Sequence, residues 1–495
     1  MSEEKTKPTT RVSLFRNWVS WMGLLVVLGS LFSFLLLFLL DALAHVANPY
    51  VGILTYLVAP MFTVIGLGMT FVGALLRRRQ VIRAAGQIAP LRIDLTRYRD
   101  RRLMGFFVSS GLVFLLISSL GVYQSYHYTE SVQFCGQACH GVMKPELVTY
   151  LHSPHARVAC AECHIGKGAT WYVRSKLSGT YQVYAVFADK YPKPIPTPVK
   201  NLRPAQETCE ECHWPKNFVG NVEHTYNYFL GDETNTPFTV RLLLKVGGAD
   251  PTHGPVGGIH WHMNVGNRME YFASDDARQK IPWVRVTDAQ GVVTEFRSPN
   301  FTNAVSESAV RRMDCMDCHN RPAHRYTSPD DAVCLAMSLG RIDRSLRYVK
   351  TNALYALTRP YTNDTQALQG IATFIAGRYP VEKYPDSQAG VRGTIDAVQQ
   401  IYTNNFFPEM KASWQAYPNN IGHTDWPGCF RCHDGLHKSA AGDRTIRAND
   451  CNACHTILAQ GKGAELDQLT PNGQKFKHPG DEVDGACTDC HTGGF

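Results

Sequence analysis

Between Arg16 and Arg77 the chain contains no lysine and no arginine, and Asp41 is the only acid there. A stretch so poor in charge cannot make an ordinary hydrated surface, which excludes a soluble N-terminal domain for it. Net charge is missing from the rest of the chain. Residues 1–102 hold 13 Lys and Arg against 5 Asp and Glu, whereas residues 103–495 hold 37 of each. The formal charge of +8 therefore belongs to the N-terminal part. Cysteines outside pairs are almost absent. Of 15, only Cys334 stands alone, in an amphipathic helical pattern that reads as a buried thiol.

The other 14 form seven pairs, each followed directly by a histidine: Cys135/Cys139–His140, Cys160/Cys163–His164, Cys209/Cys212–His213, Cys315/Cys318–His319, Cys429/Cys432–His433, Cys451/Cys454–His455 and Cys487/Cys490–His491. Six read Cys-x-x-Cys-His, the attachment signature of c-type haem. The thiols add to the two vinyl groups of the porphyrin and the histidine reaches the iron. A zinc knuckle or a disulfide framework would not demand a histidine after every pair. The first motif, "FCGQACH", carries one extra residue, which can bulge out of the loop. Seven covalently bound haems are expected.

Twelve histidines remain for the sixth iron position. His155, His423 and His478 lie shortly before a motif, and His324 and His437 shortly after one. In "GIHWHM", His260 and His262 would share one face of a strand, and one of them is a candidate ligand. Met143, three residues after His140, could ligate the first iron and raise its potential. Bis-histidine ligation favours electron transfer over substrate binding.

Three apolar runs, 18–43, 51–76 and 103–123, are long enough to span a bilayer. "DALA" at 41–44 resembles a cleavage site, but the apolar core before it is too long for a signal peptide, which favours an uncleaved anchor. Lys5, Lys7, Arg11 and Arg16 precede the first run, and nine arginines from Arg77 to Arg102 separate the second from the third. The positive-inside rule then makes the N-terminus and the loop 77–102 cytoplasmic. Everything after residue 123 lies in the periplasm of a bacterial inner-membrane protein, where haem c is attached. The basic loop is topogenic, and no nucleic acid is expected as a partner.

The fold class expected is mixed: three transmembrane helices plus a periplasmic multihaem domain, mostly helical and irregular around a haem-packed core, with a small β-rich insert. The segments are 1–123 (membrane), 124–215 (haems one to three), 216–305 (haem-free insert), 306–420 (haem four and helices) and 421–495 (haems five to seven). The insert contains strand-like "FTVRLLLKVG" and "RMEYFAS" and the hairpin pattern "WVRVTDAQGVVTEF". Helical periodicity covers roughly 330–357, 365–377 and 389–404. The first motif starts 12 residues after the third apolar run, a reach of at most about 40 Å, so this haem must lie near the bilayer.

"CHGVM…YLHSPHARVACAECHIGKG…KLSG" resembles the NapC/NirT family of membrane-anchored quinol dehydrogenases. The resemblance covers roughly 100–215. The larger plan is similar to seven-haem inner-membrane cytochromes of metal-reducing bacteria. The resemblance implies a quinol site beside the first haem, lined by a lysine after the second motif, where Lys176 falls, with Asp189 the nearest downstream acid. The family shows Cys-x-x-Cys-His-x-Met at this haem. Here the loop is one residue longer and Met143 one position later.

The expected activity is menaquinol:cytochrome c oxidoreduction, feeding anaerobic or extracellular respiration. Partners are the menaquinone pool, the lipid membrane and a soluble periplasmic multihaem cytochrome c, with association into homo-oligomers left open. Quinol oxidation releases protons, so a relay is needed. After Lys176 and Asp189 the candidates are His127, Asp41 and His45. Two alternatives stand beside this reading. One is a membrane-tethered relay subunit without its own quinol site. The other is a terminal reductase of the nitrite type, against which the absence of Cys-x-x-Cys-Lys counts.

Overall fold

The computed structural model describes residues 15, 17–44, 54–85, 96–138, 140–199, 202–214, 217–248, 257–263, 266–447, 451–480 and 487–494, apart from the side chains of some helical residues. The chain divides into two compact units, 1–139 and 140–495.

The first unit holds α1 (Trp18–Ala44), α2 (Ala59–Ala85, entered through a π-helical turn Leu54–Val58) and α3 (Tyr98–Thr129). Trp18–Leu39 and Ala59–Arg83 are long and apolar enough to cross a membrane. α1 and α2 pack as an antiparallel pair through small residues. The Ser30 and Thr63 hydroxyls lie 2.6 Å apart, Ser20 Oγ donates to the Thr70 carbonyl at 3.0 Å, and Asn17 Nδ2 donates to the Gly73 carbonyl at 3.1 Å. A Cβ on Gly66 would stand 2.8 Å from the Gly23 carbonyl oxygen, so glycine sets the close approach. Their large apolar side chains mostly face outward, as lipid-facing helices require.

The second unit begins with α4 (His140–Leu151) and α5 (Ala169–Phe187). Its main apolar core lies among α6 (Pro329–Ser338), α7 (Val349–Thr358), α8 (Asp364–Arg378) and α9 (Gln388–Asn405), where Val333, Ile342, Ala356, Ile371 and Val398 are fully buried. The long helical pattern at 330–357 splits into two helices around Gly340, whose φ of +69° breaks the first, and Tyr348 in the left-handed region. Cys334 is buried in α6, as its pattern indicates.

Two sheets flank this core. The hairpin β1 (Val222–Phe229) and β2 (Pro237–Leu244) takes a third strand, β8 (His455–Gly461), which starts at the histidine of the sixth motif. The second sheet has the order β6-β3-β4-β5-β7, with β3 (Arg268–Phe272), β4 (Trp283–Thr287), β5 (Val293–Arg297), β6 (Arg311–Arg312) and β7 (Lys438–Ser439). The hairpin expected at "WVRVTDAQGVVTEF" is β4–β5, closed by Gly291 at φ +80°. The strands of 216–305 therefore do not close on themselves. They recruit β6, β7 and β8 from the segments that follow in the chain. The β1–β2 turn is plugged into the helical core by Asn235, which donates to the carbonyls of Arg344 and Leu346 and accepts from the Lys350 amide.

Candidate haem-binding sites

"GIHWHM" is not a strand. Residues Ile259–Met263 form a 3-10 turn. It is docked on the end of β2: the Ile259 amide donates to the Lys245 carbonyl at 2.8 Å and the His260 amide to the Val246 carbonyl at 3.1 Å. The Lys245 amide in turn donates to the Cys454 carbonyl, so the same backbone carries the sixth motif. Gly247 and Gly258, both at φ +72°, allow this approach, since a Cβ on Gly247 would collide with the Gly257 carbonyl. At three residues per turn, side chains two apart diverge widely, whereas on a strand they would point together. His260 and His262 thus reach different partners, and the expectation that they share one face of a strand is corrected.

His260 stands with its ring centroid 6.4 Å from that of His319, and His262 stands 5.8 Å from His433. Four more pairs repeat this spacing: His155–His213 at 6.0 Å, His164–His324 at 6.2 Å, His423–His455 at 6.3 Å and His478–His491 at 6.1 Å. Each joins the histidine of a different motif, from the second to the seventh, to one histidine outside the motifs. Two imidazoles binding one metal ion from opposite sides, with metal–nitrogen distances of about 2 Å, put their centroids about 6 Å apart. The residues fit c-type haem.

The hydrogen bonds agree. Nδ1 of His155 faces the Pro322 carbonyl, that of His260 the Val246 carbonyl, that of His262 the Ile259 carbonyl and that of His433 the Arg447 carbonyl, at 2.8–3.3 Å. A carbonyl only accepts, so Nδ1 carries the proton and Nε2 keeps its lone pair for a metal. Burial, above all other causes, lowers the pKa of His164, His260, His262, His319, His324, His423 and His455, which favours the neutral ring a metal needs. Nδ1 of His423 and of His455 is buried without a hydrogen-bond partner.

His437 drops out of the ligand set. It is buried, with Nδ1 2.9 Å from Asp434 and Nε2 2.7 Å from the Ile281 carbonyl. Both nitrogens are taken by protein, so neither is free for iron. Asp434 lies three residues upstream and turns the ring back, a feature that "CHNRPAH" around His324 lacks.

The turn of the fourth motif is held by charge. Cys315–Cys318 is capped by Asp314, and the carboxylate of Asp317, inside the motif, is buried among Tyr271, Arg278 and Arg311 at 2.6–3.1 Å. The neighbouring thiol of Cys315 raises the pKa of Cys209, and that of Cys209 lowers the pKa of Cys315.

Cys212, Cys318, Cys429 and Cys490 are the exposed cysteines among the described motif residues. Cys212, the second cysteine of the third motif, and Cys490, the second of the seventh, are both exposed, whereas Cys209 and Cys487 before them are half-buried. Cys209 closes the helical turn Ala205–Cys209, and Cys212 lies in the irregular chain beyond it. Cys490 is the last residue of the turn Cys487–Cys490, close to the end of the chain. A thiol that adds to a porphyrin vinyl group must face the ring edge and not other side chains, so an exposed position is compatible with attachment.

At the first motif, Cys139 and the side chain of His140 lie outside the described residues. Met143 is half-buried on α4. The side chain of Cys451 is also outside the description, as are that of Asp41 and all of His45.

The NapC/NirT cytochrome c family, N-terminal region, matches residues 98–195. Along nearly its whole length the chain is 38% identical to Cytochrome c-type protein ImcH of Geobacter sulfurreducens, over 494 residues, 96% of this chain and 95% of that protein. The chain belongs to the NapC/NirT cytochrome c family. No solved structure matches this cytochrome. It is a membrane-anchored multihaem cytochrome c of electron transfer.

Two residues singled out for quinol chemistry in this cytochrome are set far apart. Lys176 is half-buried on α5, with Nζ 4.9 Å from the centre of the Tyr172 ring. Asp189 lies just past the end of α5 at φ +48°, its side chain 77% exposed beside Lys193. The rise of a helix separates them by roughly 20 Å, so one quinol ring cannot touch both. Val173, Leu177, Tyr181, Tyr184 and Phe187, at helical spacing on α5, are all exposed. His127, on α3, packs edge-on against Tyr123 at 4.4 Å.

Sequence reasoning missed Glu146 and Arg321, a half-buried pair that meets His324. The signal available was weak: an acid in "MKPEL" six residues after a motif histidine and an arginine inside "CHNRPAH".

Proposed function

We propose that this cytochrome is a quinol dehydrogenase of the bacterial inner membrane, a menaquinol:cytochrome c oxidoreductase with seven c-type haems that delivers electrons to a soluble periplasmic cytochrome. Each haem, when bound, supplies a one-electron redox centre. The six imidazole pairs carry this reading. In chain order, His164/His324, His213/His155, His319/His260, His433/His262, His455/His423 and His491/His478 would hold haems two to seven. With both faces of these irons occupied, no position is open for a small substrate. This favours electron transfer over a terminal reductase.

Cys135, Cys139 and His140 would hold the first haem, with Met143 as the candidate sixth ligand. Cys209 and Cys212 would attach the third haem, and Cys487 and Cys490 the seventh. We take α3 as a third span, with the N-terminus cytoplasmic and residues after it periplasmic. Lys176, beside the exposed apolar face of α5, would bind the quinol oxygen or accept its proton. Asp189 is proposed as no more than a distant relay to solvent.

The test is to mix oxidised, purified protein in lipid nanodiscs with a menaquinol analogue under anaerobic conditions and to follow haem absorbance. Rapid reduction supports the reading. No reduction, in protein that dithionite still reduces fully, would make this chain a relay for a separate quinol-oxidising partner.

A further inference from the structure

The paired histidines differ in what stands behind them. His155, His260, His262 and His433 rest Nδ1 on a neutral backbone carbonyl. His324 rests on Glu146 twice: its Nδ1 is 3.0 Å from the backbone carbonyl and 3.1 Å from carboxylate Oε2. Among the six pairs in the described residues, this is the one histidine with a carboxylate at its outer nitrogen.

The carboxylate is fixed on every side. Arg321 Nη2 donates to Oε1 at 3.0 Å and to Oε2 at 2.9 Å, and the Tyr326 hydroxyl donates to Oε1 at 3.3 Å. Arg321 is itself pinned. Its Nε donates to the His324 carbonyl at 2.7 Å, and its guanidinium lies 4.1 Å over the Tyr417 ring and 5.0 Å over the Tyr326 ring. Those two rings stack 5.2 Å apart. The side chains of Glu146 and Arg321 are only 16% and 12% exposed, so water screens this cluster poorly.

We propose that Glu146 is a positioning residue that, with Arg321 as its counterweight, fixes His324 and sets the reduction potential of the haem bound between His324 and His164. This inference rests on the ligand assignment proposed above. The Glu146 carbonyl accepts Nδ1–H, and the carboxylate held 3.1 Å from the same nitrogen adds a negative charge that makes the imidazole a more basic donor at Nε2. A more basic ligand stabilises the oxidised iron, which carries the extra positive charge, and lowers the potential. Arg321 offsets part of that negative charge. Glu146 stands on α4, six residues after His140, so the helix that begins at the histidine of the first motif also orients the ligand of the second.

The experiment is a spectroelectrochemical titration of the full-length, haem-loaded protein in nanodiscs, with haem content checked in each variant. Glu146→Gln keeps the shape and removes the charge, and should move one component to higher potential. Arg321→Gln leaves the carboxylate less compensated and should move the same component lower. Tyr326→Phe should move it lower by less, and stands in if either other variant fails to load haem. Mere loosening of the site would move all variants in one direction. That result, or titrations that superimpose on the native curve, overturns the proposal. His324→Met separates the two layers of the argument. If it leaves the low-spin electron paramagnetic resonance spectrum unchanged, the His164/His324 assignment fails and Glu146 falls with it. If it alters one centre while Glu146→Gln has no effect on potential, only the role of Glu146 is lost.

Discussion

The His260 ring lies 6.4 Å from that of His319 because residues Ile259–Met263 make a 3-10 turn, which sends His262 off in another direction toward His433. One turn of a haem-free segment thus serves two motifs more than a hundred residues apart in the chain. His260→Met and His262→Met should each convert one bis-imidazole centre, and not the same one. Low-spin electron paramagnetic resonance and near-infrared magnetic circular dichroism read this directly. Identical difference spectra for the two variants would mean that the turn serves a single site.

Lys176 and Asp189 should separate kinetically. Lys176→Ala should slow menaquinol-driven reduction about tenfold, a loss of about 1.4 kcal/mol in the transition state. Asp189→Asn, roughly 20 Å further along α5 and exposed, should change it less than twofold. Stopped-flow absorbance in nanodiscs measures both. Equal losses would show that the helix as a whole, and not the Lys176 ammonium, matters.

His437 should behave as a structural residue. His437→Gln should leave the visible and low-spin resonance spectra as they are. It should also destabilise the fold by about 1–3 kcal/mol, the cost of stranding the buried Ile281 carbonyl. Thermal melting followed by circular dichroism, alongside the haem spectra, tests both halves.

Glu270 is 4% exposed; it pairs with Arg268 on its own strand at 2.5 Å and ties β3 to β4 through Arg285 at 2.8 Å. Burial pushes its pKa up, but hydrogen bonds from Arg285 and Arg268 outweigh that and leave it below the usual 4.5. A depressed carboxylate contributes stability that is present above its unfolded pKa and lost as pH falls through its folded pKa. Glu270→Gln should therefore cost about 3 kcal/mol at neutral pH, as for breaking a buried ion pair. The gap between variant and native should narrow as pH falls below 4.5 and through the depressed folded pKa, where the native carboxyl becomes neutral as well. Denaturant unfolding at pH 7 and pH 3 measures it.

Much of this protein was readable from residue order. Helical periodicity gave α8 and α9 within a residue or two, and the "TDAQG" turn gave the β4–β5 hairpin, because both depend on contacts a few residues apart. The apolar period at 330–357 continues past Gly340 while the backbone does not, so periodicity alone does not show the break between the two helices. "GIHWHM" was misread for a related reason. Alternation favours a strand, but the turn is fixed by Lys245 and Val246, carbonyls thirteen or more residues upstream.

The sequence by itself determined the chemistry of attachment, since thiol, thiol and histidine sit within a few bonds of one another and their spacing is covalent. It also determined the apolar spans and the charge that orients them. Only the tertiary structure decided which outer histidine meets which motif. His324 and His437 occupy like positions after their motifs, yet one meets His164 and the other is bound by Asp434 and Ile281. That choice is made by partners up to 171 residues away, as with His262 and His433, and by buried hydrogen bonds whose cost if unmet is felt only once water has been excluded.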